Sequence, residues 1–304
     1  MGFSTMKNNS YMGRLELAPQ VLDRSFNREP IGFDHNLSTL DLFGLDSLRT
    51  LAEKYQGHDS DYMVASSASA PDQKFRSVKS ANLNPSQAID RLKTESVRIL
   101  LKRPQDYDSR FQELLDGLTE QVVSLSGGLK ADRIMRLESS IFLTSAKTLT
   151  PFHFDPSAVF FFQIAGEKIY HLYPPSALTE PEMEQFYFRG MVDIAQVELN
   201  RRDPKLEHVF KLSAGKGLHQ PQNAPHWVET NGDISISYSF FFETLAARKI
   251  SRTRGFNHYL RKIGAQPSPP GAHPRLDAFK ADAMDVWIPC RKTLSAVKSA
   301  ALGK

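Results

Sequence analysis

The stretch TPFHFDPSAVFFFQIAGEKIYHLYPP, residues 150–175, decides how this chain is read. It is rich in aromatic and β-branched residues and is closed by Pro174-Pro175. That composition favours strands bounded by turns. Pro151–Ala165 alternates and then becomes continuously aromatic, and Glu167–Tyr173 reads as a second short strand after a hairpin-like Ala165-Gly166-Glu167. On a strand, neighbouring side chains point to opposite faces. His153 and Asp155 therefore share one face, and Phe152 and Phe154 share the other. The same parity points Phe161 inward. Lys168, just after the turn, reads by spacing alone as a surface lysine.

An imidazole and a carboxylate two residues apart can converge on one ion. A third ligand is expected from a strand distant in sequence and adjacent in space. His226, in Ala224-Pro225-His226-Trp227, is the natural candidate, 71 positions after Asp155. Two histidines and one carboxylate make the facial arrangement of non-haem Fe(II) oxygenases, with coordination positions left open.

Strand signals continue outward from this stretch. Arg133–Thr144 precedes it; Val209–Leu212, Gly217–His219, His226–Thr230 and Ile234–Phe242 follow. Short strands between turn signals predict an antiparallel sandwich or barrel. Helical periodicity flanks this region. Asp46–Tyr55 and Gln87–Lys93 lie before it. So does Asp106–Leu125, with Phe111, Leu114, Leu115, Leu118, Val122 and Leu125 on one stripe. After it come Leu245–Ile263, Leu276–Val286 and Arg291–Ala301. Residues 1–30 read as an extended arm. The expected division is an N-terminal arm and mixed region over 1–130, a mostly β core over 131–244, and a basic helical region over 245–304.

The dense run Thr150, Pro151, His153, Asp155, Phe160, Phe161, Gln163, Ile164, Gly166, Lys168, Tyr173, Pro174 and Pro175 resembles the cupin-like JmjC family of Fe(II)- and 2-oxoglutarate-dependent oxygenases. It is most similar to the hydroxylase branch containing the asparaginyl hydroxylase of hypoxia-inducible factor. The resemblance implies a double-stranded β-helix (jelly-roll or cupin) barrel with flanking N- and C-terminal helices. It implies that His153, Asp155 and His226 hold iron. It further implies that Lys168 and the Thr150 hydroxyl bind the distal carboxylate of 2-oxoglutarate. The implied reaction consumes 2-oxoglutarate and O2, releases succinate and CO2, and hydroxylates a C–H bond. The chain departs from the family pattern in having Val159 and Ser239 where asparagine is frequent. Tyr107 is the only counterpart offered for an upstream tyrosine that helps hold the cosubstrate. His171, His208 and His219 read as structural.

Composition bounds the alternatives. Of the 304 residues, 40% are hydrophobic and 24% charged, enough for a packed core, which excludes a disordered or fibrous chain. No apolar run reaches the ~18 residues of a membrane span. The start, MGFSTMKNNSYMGR, carries no secretory or myristoylation pattern. The single cysteine, Cys290, excludes an intramolecular disulfide or a cysteine-built zinc site, so a reducing cytoplasmic setting is expected. Residues 245–304 hold 12 Lys/Arg against 3 Asp/Glu. Such a bias suits an anionic partner such as RNA, an acidic protein or a phosphorylated ligand, yet no aromatic platform accompanies it, and a solvated helix face is the favoured reading. An oxygenase that docks RNA or ribosomal protein through this region is a further alternative. The expected substrate is a protein side chain, an amino acid or a small metabolite. A non-catalytic metal-binding cupin is the alternative, and the C-terminal helices are a candidate homodimer face.

Overall fold

The computed structural model describes residues 13–75, 83–188 and 195–301. Eleven strands form one antiparallel sheet that folds over on itself. The chain runs β1 (Leu15–Glu16), α1 (Pro19–Ser25), β2 (Ile31–His35), α2 (Leu45–Glu53), β3 (Tyr62–Ala65), α3 (Pro85–Asp90), β4 (Arg98–Lys102) and α4 (Ser109–Leu125). The barrel strands follow: β5 (Ile134–Thr144), β6 (Leu149–Phe154) and β7 (Ala158–Leu172). After α5 (Glu180–Tyr187) come β8 (Ala195–Gln196), β9 (His208–Ser213), β10 (Lys216–Gln220) and β11 (His226–Thr244). Helices α6 (Leu245–Lys262) and α7 (Pro274–Ala301) end the fold.

Strands β7 and β11 are the spine. They pair along two stretches, Ala158–Ala165 with Ile236–Phe242 and Glu167–Leu172 with Asn231–His226. The first stretch is flanked by β10, β2 and β1 on one side and by β5, β4 and β3 on the other. The second is flanked by β9 beside β7 and by β6 and β8 beside β11. Each long strand thus serves both walls, which is the double-stranded β-helix that the family resemblance implies. Val159, Phe161, Tyr170, Leu172, Leu212, Leu218, Ala224 and Val228 form the cluster between the walls.

The outward face of the larger wall carries the main core. Phe160, Phe162, Tyr238, Phe240 and Phe242 pack there against α4, through Phe111, Leu114, Leu115, Leu118 and Val122. Burying each large side chain stabilises the fold by roughly 1.5–3 kcal/mol, which explains why a helical stripe must cover this face. Asp108 caps α4 by accepting from the Arg110 amide, and Asn84 and Gln87 form a reciprocal capping box on α3.

Three elements differ from the sequence reading. The N-terminal segment is docked, not extended: α1 places Leu22 at full burial and β2 alternates Ile31, Phe33 and His35 inward. Residues 1–12 lie outside the described residues. The last two expected helices are one, α7, with Pro289 inside it. And β7 has no hairpin at Ala165-Gly166-Glu167. It passes straight through, with Gly166 at φ +69° and an irregularity opposite, between Asn231 and Ile236 of β11. Among the described residues no helix is long and apolar enough to cross a membrane.

Gly166 decides which residues face the interior. Before it the inward residues of β7 are odd-numbered, as with Val159 and Phe161; after it they are even, as with Tyr170 and Leu172. A Cβ at this position would lie 2.5 Å from the Ile234 carbonyl oxygen. Gly166→Ala is expected to lower unfolding stability by about 2 kcal/mol or more, combining a left-handed backbone cost of about 1–2 kcal/mol with displacement of Ile234. Urea denaturation checks this, and an unchanged midpoint would show that the joint tolerates a side chain.

Candidate metal centre

His153 is the penultimate residue of β6 and His226 begins β11. Antiparallel pairing sets them directly opposite each other, with ring centroids 4.2 Å apart. Asp155 follows β6 immediately. Its Oδ1 lies 3.9 Å from His153 Nε2 and its Oδ2 lies 3.8 Å from His226 Nε2. Donor atoms of all three residues fall within 4.8 Å of one another. These separations are too long for hydrogen bonds. They suit donors around one divalent ion at bond lengths of roughly 2.0–2.2 Å after small side-chain rotations.

The tautomers are set by the backbone. His153 Nδ1 is 2.7 Å from the Pro151 carbonyl oxygen, and His226 Nδ1 is 3.1 Å from that of Ala224. A carbonyl can only accept, so each Nδ1 carries the proton and each Nε2 presents its lone pair to the shared centre. Burial holds both imidazoles below the ordinary histidine range, and burial pushes the Asp155 carboxyl up against the pull of His153. A divalent cation would relieve the carboxylate and accept both lone pairs. Two neutral imidazoles and one carboxylate fit Fe(II) with open positions.

Outer partners hold this triad. Gln220 Nε2 donates to Asp155 Oδ2 at 3.4 Å, and the Tyr170 hydroxyl donates to Gln220 Oε1 at 2.7 Å. The Tyr170 ring stacks on His226, and Phe75 meets His153 edge-on. The sequence reading missed all three. Gln220 follows His219 in a short strand, and nothing in its neighbourhood marks it.

The other expected site residues fall as follows. Lys168 is 5% exposed, not a surface lysine. Its Nζ lies 5.4 Å from the centroid of Phe161 and 5.5 Å from that of Phe142. Burial, with the charge of Arg98 second, lowers it to about 7. Thr150 would face away from His153 on a regular strand. A register shift matches Val228 to Thr150 and His226 to His153, so β6 spends three residues where β11 spends two. This bulge turns Thr150 toward the interior with Val228. Ser239 is buried and pairs across strands with Phe161.

Tyr107 does not join the site. It stacks on Tyr55 and donates to Asp61 at 2.6 Å. His219 is structural: it accepts from the Asn27 amide and its Nδ1 meets the Val159 carbonyl. His208 is exposed, and His171 is sandwiched against Trp227 between Glu207 and Glu229.

Asp155→Ala is expected to weaken Mn(II) or Fe(II) binding by more than roughly a hundredfold, since outer-shell partners alone are worth about 10–100-fold. Gln220→Leu is expected to fall within that outer-shell range. Titration calorimetry with Mn(II) measures both. Undiminished affinity in the Asp155 variant would remove the carboxylate from the ligand set.

Comparison with known proteins agrees with the geometry. The cupin-like domain family matches residues 34–248. No curated protein matches the chain. Among solved structures, Escherichia coli ycfD superposes with a TM-score of 0.53 at 18% identity, over 91% of this chain and 68% of that one. A second structure of YcfD, described as a ribosomal oxygenase from Escherichia coli, gives 0.50 at 19% identity over the same shares. With the family matched across most of its length and the barrel in place, the chain belongs to the cupin-like domain family.

Proposed function

We propose that this protein is an Fe(II)- and 2-oxoglutarate-dependent oxygenase that hydroxylates a C–H bond. One observation carries the reading: His226 of the three-donor cluster and Lys168, a buried lysine with no carboxylate partner among the described residues, lie on one strand pair, β11 with β7. His226 lies opposite Leu172 and Thr230 lies opposite Lys168, four residues further along β11. At ~3.3 Å per residue that is roughly 13 Å of strand. That backbone offset, shortened by the reach of the lysine and imidazole side chains, leaves room for a short dianion with one end at the ion and an anionic end at the ammonium. A lone buried cation is costly unless an anion joins it, so the pocket is built to receive one.

His153, Asp155 and His226 would hold the iron on one triangular face and leave the opposite positions free. Lys168 and the Thr150 hydroxyl would grip the distal carboxylate of 2-oxoglutarate. Phe161 and Phe142 line the ammonium and exclude water from it. Ser239 would offer a hydroxyl where an amide is frequent, and Val159 offers none. When bound, iron and 2-oxoglutarate supply the oxidation with O2: one oxygen atom enters the substrate C–H bond and the other enters succinate as CO2 leaves.

The substrate class is a protein side chain, an amino acid or a small metabolite. The description of YcfD as a ribosomal oxygenase supports the first for this chain. Nucleic-acid docking by the basic region gains no support from its contacts. Arg248 and Arg252 pair with Asp285, Arg254 with Glu180, and Arg261 with Glu184. Phe279, Val286 and Trp287 are exposed on α7 and favour a homodimer face there.

A screen of candidate substrates for stimulated succinate release tests the reading. Stoichiometric metal binding with no decarboxylation of 2-oxoglutarate would leave a metal-binding cupin instead. The position of Lys168 adds a pH signature. Its ligand-free form loses the proton as pH rises through about 7, while the bound carboxylate requires the cation. Affinity for 2-oxoglutarate is expected to fall by up to about tenfold per pH unit above 7, with a proton taken up on binding. Calorimetry in buffers of different ionisation enthalpy measures that proton. Lys168→Ala should spare Mn(II) and weaken 2-oxoglutarate; tight cosubstrate binding without Lys168 would sink its assignment.

A further inference from the structure

A second cation lies in the same interior. Arg98 begins β4, in the apolar run Val97-Arg98-Ile99-Leu100-Leu101, and is 8% exposed. Ile99 and Leu101 face the main core, so Arg98 takes the opposite face of the sheet, toward the barrel interior. No carboxylate or other acceptor among the described residues pairs with it. A buried guanidinium with five donors and nothing to bond is costly, and folded proteins seldom keep one without a ligand for it.

Its place relative to Lys168 follows from register. Arg98 pairs with Thr144 of β5, two residues along the same face from Phe142. The Lys168 ammonium lies over that Phe142 ring. Thr144 Oγ1 is 3.0 Å from Thr230 Oγ1, and Thr230 is the cross-strand partner of Lys168. Thr148 Oγ1 donates to the same Thr230 hydroxyl at 3.1 Å. Two cations and three linked hydroxyls therefore meet at one end of the barrel. The charge of Arg98 also reaches the metal side, where it disfavours protonation of His153.

We propose that Arg98 is a carboxylate-binding residue that, with Lys168, forms a two-cation pocket for the distal carboxylate of a 2-oxo dicarboxylate. This rests on the oxygenase reading above and extends it. The guanidinium fork receives two oxygens at once, which a lysine cannot do. It also keeps a positive charge in the pocket at pH values where Lys168 has lost its own. The pocket is thereby selective for a cosubstrate with two carboxylates over the equivalent mono-acid.

The test uses the full-length protein loaded with Mn(II) and two probes, 2-oxoglutarate and 2-oxovalerate, which lacks the distal carboxylate. Calorimetry gives the affinity ratio. R98Q is expected to cut that ratio roughly ten- to hundredfold, the size of a lost charged hydrogen bond, while leaving 2-oxovalerate binding as it was. R98K is expected to fall between R98Q and wild type. Thermal melting adds a readout that a structural role moves the other way. Removing an unpaired buried cation should raise the melting temperature of the ligand-free protein, whereas removing a structural arginine lowers it. An unchanged ratio in R98Q, a loss shared equally by both probes, or a lowered ligand-free melting temperature overturns the proposal. If R98Q does not fold, R98K decides: a ratio equal to wild type overturns it. Wild-type protein that binds Mn(II) but not 2-oxoglutarate overturns the oxygenase reading itself, a distinct outcome.

Discussion

The register between β6 and β11 sets His226 opposite His153, and the rest of the site depends on that pairing. Strand side chains alternate with a period of two, so a slip of one residue would turn His226 to the other face and leave His153 and Asp155 without a third donor. Three features hold the register. Tyr170 stacks on His226 from the neighbouring strand. The bulge between His226 and Val228 fixes where extra chain is absorbed. The apolar cluster of Val159, Phe161, Tyr170, Leu172 and Val228 penalises any shift that would expose it. Backbone pairing thus does for the metal centre what covalent linkage cannot in a chain with a single cysteine.

The same pairing explains which parts of the site were legible in the sequence. His153 and Asp155 share a face by simple alternation, and His226 was reached by asking for a donor on an adjacent strand. The amphipathic stripe of α4 was legible because its spacing is the helical period. The interior positions beyond a strand irregularity were not. Alternation alone puts Thr150 on the wrong side of His153, and only the bulge returns it. Alternation through Gly166 puts Lys168 on the opposite side from Phe161, and only the left-handed residue brings the ammonium over that ring. The resemblance supplied both residues before any geometry did. Arg98 is illegible in the sequence for a different reason. It looks like one cation in an apolar strand, and its meaning lies in what fails to pair with it.

The basic C-terminal region shows how far composition can mislead about partners. Its surplus of positive charge is real in sequence, but α5 and α7 present Glu180, Glu184 and Asp285 to the arginines of α6. The solvent-facing pairs with Asp285 stabilise little, about 0–1 kcal/mol each. Their effect here is on the field: a paired arginine projects less potential to a polyanion than a free one. Glu184 is fully buried against Arg261, so that pair also orients α5 on α6. Four arginines that read as an interaction surface in one dimension are spent on helix packing in three.

The interior of the barrel carries the opposite situation. Lys168 and Arg98 are buried without acidic partners among the described residues, and the carboxylate of the metal centre, Asp155, is directed to the histidines. Folding such a chain works against desolvation of both cations, and the apolar core must offset it. A stability optimum would replace them with leucine or methionine of similar reach. Their presence in the same chamber as an open three-donor face is explained if a dianion spans from ion to cations, since it neutralises both ends at once. Binding then returns the desolvation energy stored in the ligand-free fold, and affinity and fold stability become two readings of the same unpaired charges.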